Sequence, residues 1–255
     1  MKIGIFDSGV GGLSVLHEAR KILPGARYLY YADTAHVPYG IKPKAEIREY
    51  IFEAVRFLQD QGCDVVVLAC NTATSVAVDD LRATFGLPIV GMEPAVKPAV
   101  LAGDHRRVLV FATETTLRES KFHDLVAKVD NEGLVDYLSL QELVLLSERF
   151  EFGEDRVMPY LRARLAQVDA TAYGHVVLGC THFIYFRPQI RRLFPEGTVI
   201  LDGNAGTVQH LKRRVAGLRP EPRGAGGVQF FRSGTAAPAP EFERYLEVLD
   251  RQDGD

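Results

Sequence analysis

Short runs rich in Val, Ile and Leu alternate with helix-length stretches along most of this chain, and that alternation restricts the fold more than any other feature. Strand-like runs fall at 2–6, 27–31, 64–69, 88–91, 106–111, 134–138, 174–178 and 198–201, and helix-like stretches at 13–22, 43–61, 74–84, 94–102, 116–128, 154–168 and 187–193. Strands separated by helices of this length indicate parallel sheets built from βαβ units. Runs apolar at successive positions suit strands covered on both faces. In such sheets ligands bind at the carboxyl ends of the strands. Asp7, Asp33, Cys70, Thr113, Cys180 and Asp202 all fall at or just beyond such ends. After Gly203 the pattern predicts a helix over 205–216, an exposed loop over 217–227, a strand over 228–231 and a helix over 240–250, with residues 252–255 disordered.

At 255 residues the chain accommodates one large domain or two of roughly 100–150 residues. A net charge of −3 gives no reason to expect a nucleic-acid surface. No apolar run approaches the ~18 residues of a membrane span, and the first residues do not resemble a signal peptide. The reading is a cytoplasmic protein with neither nucleic-acid nor membrane partners. Its three cysteines, Cys63, Cys70 and Cys180, form an odd and sparse set, which argues against a disulfide framework.

Two of those cysteines occupy matched settings. Ala69-Cys70-Asn71-Thr72 follows Val65-Val66-Val67-Leu68, and Gly179-Cys180-Thr181-His182 follows Val176-Val177-Leu178. Each thiol is placed at the tip of a buried strand, with small amide or hydroxyl residues opening the next element. Two pseudo-equivalent halves built this way could present thiols to opposite faces of one small substrate, which is what proton transfer at carbon by two bases requires. Asn71, Thr72, Thr74, Thr181 and His182 could hold a ligand carboxylate and support a thiolate, whose pKa falls beside a helix N-terminus or a histidine. A lone buried cysteine is usually a small hydrophobe, and Cys63 has only that plainer reading.

The remaining motifs each have a bland alternative. Asp7-Ser8-Gly9-Val10-Gly11-Gly12 joins the first strand to the first helix, either as an anion-binding βα turn or as a turn capped by Asp7 or Ser8. The spacing of a dinucleotide fingerprint is absent. Pro38-Tyr39-Gly40 reads as a turn that could line the cleft mouth. A structural zinc site wants a close Cys-x-x-Cys pair, which the chain lacks; a cysteine hydrolase would leave Cys70 unexplained. Glu148 closes an apolar run and reads as a solvated helix residue in preference to a cleft residue. Asp202-Gly203-Asn204 reads as a helix cap.

Together, Phe6-Asp7-Ser8-Gly9-Val10-Gly11-Gly12, Pro38-Tyr39-Gly40, Ala69-Cys70-Asn71-Thr72-Ala73 and Leu178-Gly179-Cys180-Thr181-His182 resemble the signatures of bacterial glutamate racemase, in order, over roughly residues 1–215. The resemblance implies an α/β protein of two pseudo-symmetric parallel-sheet domains with the active site in the cleft between them. It divides the chain into residues 1–92 plus 205–255 and residues 93–204. It also implies no cofactor and no metal, a homodimer, and supply of D-glutamate for peptidoglycan synthesis. By that resemblance Cys70 deprotonates D-glutamate, Cys180 deprotonates L-glutamate, and Asp7 and His182 are auxiliary acid/base groups. Ser8, Pro38, Tyr39, Gly40, Asn71, Thr72 and Thr181 match substrate contacts, as do Thr113 and Thr116 in a threonine-bearing loop. Two stretches depart from the family's pattern: Leu140-Gln141-Glu142-Leu143-Val144-Leu145-Leu146 lacks its prolines, and Asp202-Gly203-Asn204 replaces Asp-Ser-Ala. Racemisation of aspartate by the same thiols is the nearest alternative, and a non-catalytic binding protein is a reading of another class.

Overall fold

The computed structural model describes residues 1–102, 105–218 and 227–254. Two sheets organise them. The first has six strands in the order β10-β9-β2-β1-β3-β4, formed by β1 (Lys2–Asp7), β2 (Arg27–Ala32), β3 (Val65–Leu68), β4 (Ile89–Gly91), β9 (Gly227–Arg232) and β10 (Thr235–Ala237). The second has four in the order β6-β5-β7-β8, from β5 (Arg107–Ala112), β6 (Val135–Ser139), β7 (Tyr173–Leu178) and β8 (Val199–Asp202). All pairings are parallel except that of β10 with β9. The fold is therefore the α/β arrangement of two parallel-type sheets that the sequence pattern predicts.

Burial explains why the interior strands carry so little polar side chain. Every residue of β3 and β7 is buried, and β1, β2 and β5 are buried beyond their first residue. Helices α1 (Leu13–Ile22), α2 (Lys44–Asp60) and α3 (Asn71–Thr84) cover the first sheet with amphipathic faces. Helix α10 (Asn204–Arg214) and the C-terminal helix α11 (Pro240–Asp253) pack beside α1. Short helix α4 (Val96–Val100) leads into the second sheet. Helices α8 (Glu154–Leu165) and α9 (Arg187–Arg191) pack together beside that sheet.

Several expected boundaries shift. Helix α3 starts at Asn71 rather than 74, because the Cys70 sulfur accepts from the Ala73 N–H at 3.4 Å and caps it. The stretch 116–128 is two helices, α5 (Glu114–Arg118) and α6 (Ser120–Ala127), interrupted by Glu119 in extended backbone. Helix α7 (Glu142–Glu148) and strand β10 are additions to the pattern. The expected tail disorder is corrected: Gln252 and Asp253 continue α11, where the Gln252 amide donates to the Tyr185 carbonyl at 2.9 Å. Most of the loop expected over 217–227 lies outside the described residues.

Candidate active site

The carboxyl ends of the two sheets meet through buried polar contacts. Asp7 ends β1 fully buried; its Oδ1 accepts from the Gly9 N–H at 3.0 Å and its Oδ2 from the Thr181 hydroxyl at 3.0 Å, beyond β7 of the other sheet. Burial pushes the Asp7 carboxyl up to about 6, opposed by the positive His182 and by these two hydrogen bonds.

Both candidate thiols lie at this junction. Cys70 is two residues past β3 and directs its thiol to Ser8 Oγ at 3.7 Å. Burial raises it to about 12, and the neighbouring Asp7 charge adds to the rise. Cys180 is two residues past β7, before a 3-10 turn over Thr181–Phe186; its sulfur lies 3.7 Å from His182 Nδ1. All three cysteines are free and buried, and Cys63 packs beside Gly4 and Leu58 away from this cluster.

The sequence reading of Glu148 as a solvated residue is corrected by its contact with His182. The histidine's Nε2 lies 2.7 Å from Glu148 Oε1, and the same oxygen accepts from the Val10 N–H at 2.8 Å. Glu148 is only 13% exposed and faces the cleft instead of solvent. Burial opposes a charged imidazole, yet contacts with Cys180 and Glu148 prevail and hold His182 protonated well above the ordinary histidine range. Glu148 had no local signature, because its partners are 34 and 138 residues away in the chain.

The glycine loop has a different role from an open anion cradle. Two of its N–H groups, those of Gly9 and Val10, already donate to Asp7 and Glu148. A β-carbon on Gly9 would fall 1.8 Å from Glu148 Oε1, and one on Gly11 2.4 Å from Thr181 Oγ1 and 2.5 Å from His182 Nδ1. These glycines let three side chains from the second sheet's side, Glu148, Thr181 and His182, approach the loop.

Beside the thiols is a ring of hydroxyls. Thr72, at the start of α3, lies 2.9 Å from Thr113 and 3.1 Å from Thr116, which are 3.0 Å from each other. Three hydroxyl protons satisfy such a ring internally, so a Thr hydroxyl that donates to a ligand must leave it. Asn71 Nδ2 donates to the Met92 sulfur at 3.4 Å, while Oδ1 is buried with no partner among the described residues.

Gly40 lies against Thr113, and Tyr39 directs its hydroxyl to Asp33 Oδ2 at 2.5 Å. Asp33 also receives Ser233 Oγ at 2.8 Å and contacts His36 Nδ1 at 2.8 Å. Asp33 thus anchors the 38–40 loop, a role that sequence position alone does not reveal. Pro38 immediately precedes the 3-10 turn Tyr39–Ile41, following a cis Val37–Pro38 peptide bond. Asp202 pairs with Arg187 and accepts from the Asn204 N–H at 2.8 Å, as a capping residue does. Among the described residues, no three His, Cys, Asp or Glu side chains gather in a way that could hold a metal ion, and no helix is long and apolar enough to cross a membrane.

Two parallel-type sheets bring a thiol each to a shared, buried, carboxylate-bearing junction, and the chain belongs to the Asp/Glu/Hydantoin racemase family, whose model matches residues 13–211. It is 51% identical over 251 residues to the glutamate racemase of Halothermothrix orenii, covering 98% of this chain and 99% of that one. It is 46% identical to glutamate racemase 2 of Bacillus subtilis, with 98% and 97% covered. The crystal structure of Escherichia coli glutamate racemase in complex with L-glutamate and the activator UDP-MurNAc-Ala superposes with a TM-score of 0.84 at 35% identity, covering 98% and 94% of the two chains.

Proposed function

We propose that this protein interconverts L- and D-glutamate without a cofactor, with Cys180 and Cys70 as the two bases. The observation that carries this reading is that the two thiols end interior strands of different sheets, each with its own polar partner, Ser8 for Cys70 and His182 for Cys180.

Their environments are unequal in a useful way. Cys70 rests as the protonated thiol, held so by burial. The His182 imidazolium is the charge with which a sulfur anion at Cys180 would pair. Starting from L-glutamate, the Cys180 thiolate removes the α-proton and becomes a thiol. Electron density left on the α-carbon accepts the Cys70 proton from the opposite face, so the C–H bond re-forms with inverted configuration and Cys70 becomes the thiolate. D-glutamate reverses both roles. Resetting the enzyme returns one proton from Cys180 to Cys70, and Asp7, raised to about 6 and in contact with Thr181, suits a relay near neutral pH.

The carbanion-like state needs preorganised donors in a dry site. Thr72, Thr113, Thr116, Thr181, Asn71 and Ser8 are buried and could contribute them, with Gly40 and Tyr39 on the loop that Asp33 anchors. Since both thiols are buried, substrate entry requires the two sheet ends to part. Residues 1–92 plus 205–255 and residues 93–204 are proposed as the two lobes that do so. On the same reading the protein acts in the cytoplasm as a homodimer, supplying D-glutamate for peptidoglycan synthesis.

The test is polarimetry on purified protein, with L-glutamate and L-aspartate compared. Racemisation of glutamate in preference to aspartate is expected. Preference for aspartate would move the assignment to that substrate, and turnover of neither would overturn the reading.

A further inference from the structure

A buried amide at the edge of this site has no use in the reaction as described. Gln141 lies two residues past the end of β6, at the same carboxyl end of the second sheet as Thr113 and Cys180. Both its Oε1 and Nε2 are shut off from solvent, and among the described residues neither has a hydrogen-bond partner. Leaving a buried amide unmade on both sides is costly, so such a group calls for an occupant.

Its neighbours locate that occupant. A β-carbon on Gly40 would fall 2.3 Å from Gln141 Oε1 and 2.7 Å from the β-carbon of Thr113. The amide therefore fills the space above Gly40, between the 38–40 loop of one sheet and the threonine ring joined to the other. It is hydrogen-bonded to none of Asp7, Cys70, Cys180 and His182, which leaves it free for a part of the ligand other than the carbon held between the sulfurs.

Charge narrows the ligand group. Among the described residues, neither Lys nor Arg shares a hydrogen bond with the thiol cluster or the threonine ring. A second carboxylate on the substrate must then be held by neutral donors. The threonine protons are engaged in their ring, and one of the two Asn71 amide protons goes to the Met92 sulfur. The Gln141 N–H group is uncommitted. We propose that Gln141 is a specificity-determining residue whose Nε2 donates to the side-chain carboxylate of a bound dicarboxylic amino acid. This rests on the glutamate reading and adds to it the group that measures the distal end of the substrate.

The experiment compares wild type with Gln141→Leu and, as an apolar variant of similar length and greater flexibility, Gln141→Met. KM and kcat are measured for both glutamate enantiomers, with thermal unfolding in parallel. Loss of one hydrogen bond to a charged group should raise KM about tenfold or more for both enantiomers, leave kcat within about twofold, and leave Tm unchanged or higher. An unchanged KM in a folded variant would overturn the assignment, and so would a loss confined to kcat. If wild type itself fails to racemise glutamate, it is the functional reading that fails. Should Gln141→Leu not fold, Gln141→Met gives the same readout, and failure of both to fold would assign Gln141 a structural role and overturn the proposal.

Discussion

Glu148 Oε1 lies 2.7 Å from His182 Nε2 and shares its other hydrogen bond with the Val10 N–H, so one carboxylate oxygen ties the histidine of the second sheet to the glycine loop of the first. The far nitrogen of that histidine faces the Cys180 sulfur. The protonation of His182 and the closure of the cleft thus share one contact.

Glu148→Gln tests this linkage through pH. The carboxylate helps hold His182 protonated well above its ordinary range, so removing its charge lets the imidazolium lose its proton at lower pH. The alkaline limb of kcat for L-glutamate should move to lower pH, with turnover reduced about 10- to 100-fold at neutral pH. A profile of unchanged shape would show that Glu148 does not set the histidine's charge.

Gly9→Ala should produce a similar defect from the opposite side. The new methyl would fall 1.8 Å from Glu148 Oε1, so the carboxylate must leave His182, Val10 or both. A loss of activity comparable to that of Glu148→Gln is expected, with ~1–3 kcal/mol lost in urea unfolding. Gly25→Ala, where nothing stands within 4 Å, is the control and should leave activity unchanged.

Asp7→Asn should separate stability from activity. Burial raises the folded-state pKa of Asp7 from 3.8 to about 6, so ionised Asp7 destabilises the fold. That penalty is absent below the unfolded value, grows as pH rises from about 4 to about 6, and is complete above the folded value; its full size is on the order of 3 kcal/mol. The amide oxygen of the variant can keep accepting from the Gly9 N–H, and its NH2 can meet the Thr181 hydroxyl only as donor, with that bond reversed. It should be more stable than wild type at pH 7.5 by denaturant unfolding, with the gain shrinking towards pH 4, while racemisation falls. A gain independent of pH would exclude Asp7 ionisation as its source.

Cys70→Ala and Cys180→Ala should each lower racemisation by about 10²-fold or more, the loss expected for a positioned acid or base. Cys63→Ala should retain most activity, since that thiol packs beside Gly4 and Leu58. Near-normal turnover in either of the first two variants would eliminate the two-base mechanism.

The strands are legible because a buried parallel strand is largely apolar on both faces, as the runs at 64–69 and 174–178 are, each between helix-length stretches. The position of Cys70 and Cys180 beyond those strands followed directly. Helix α7 escaped notice because its apolar run is short and lacks a side-chain cap. Three-residue β10 exists only through its pairing with β9. Glu148 and Gln141 are hidden for a shared physical reason: each owes its environment to residues distant in sequence, His182 and Val10 for the first and Gly40 with Thr113 for the second. The glycine loop was recognisable as a turn, but its need for glycine comes from Glu148 and His182 pressing against it.

The most direct test is to incubate the protein with L-glutamate in D2O and follow optical rotation together with α-deuterium in each enantiomer. Two bases on opposite faces predict deuterium in nearly all D-glutamate formed early, with little in the remaining L-glutamate. Deuterium entering L-glutamate as fast as inversion proceeds would mean that one base serves both faces, and would contradict the account.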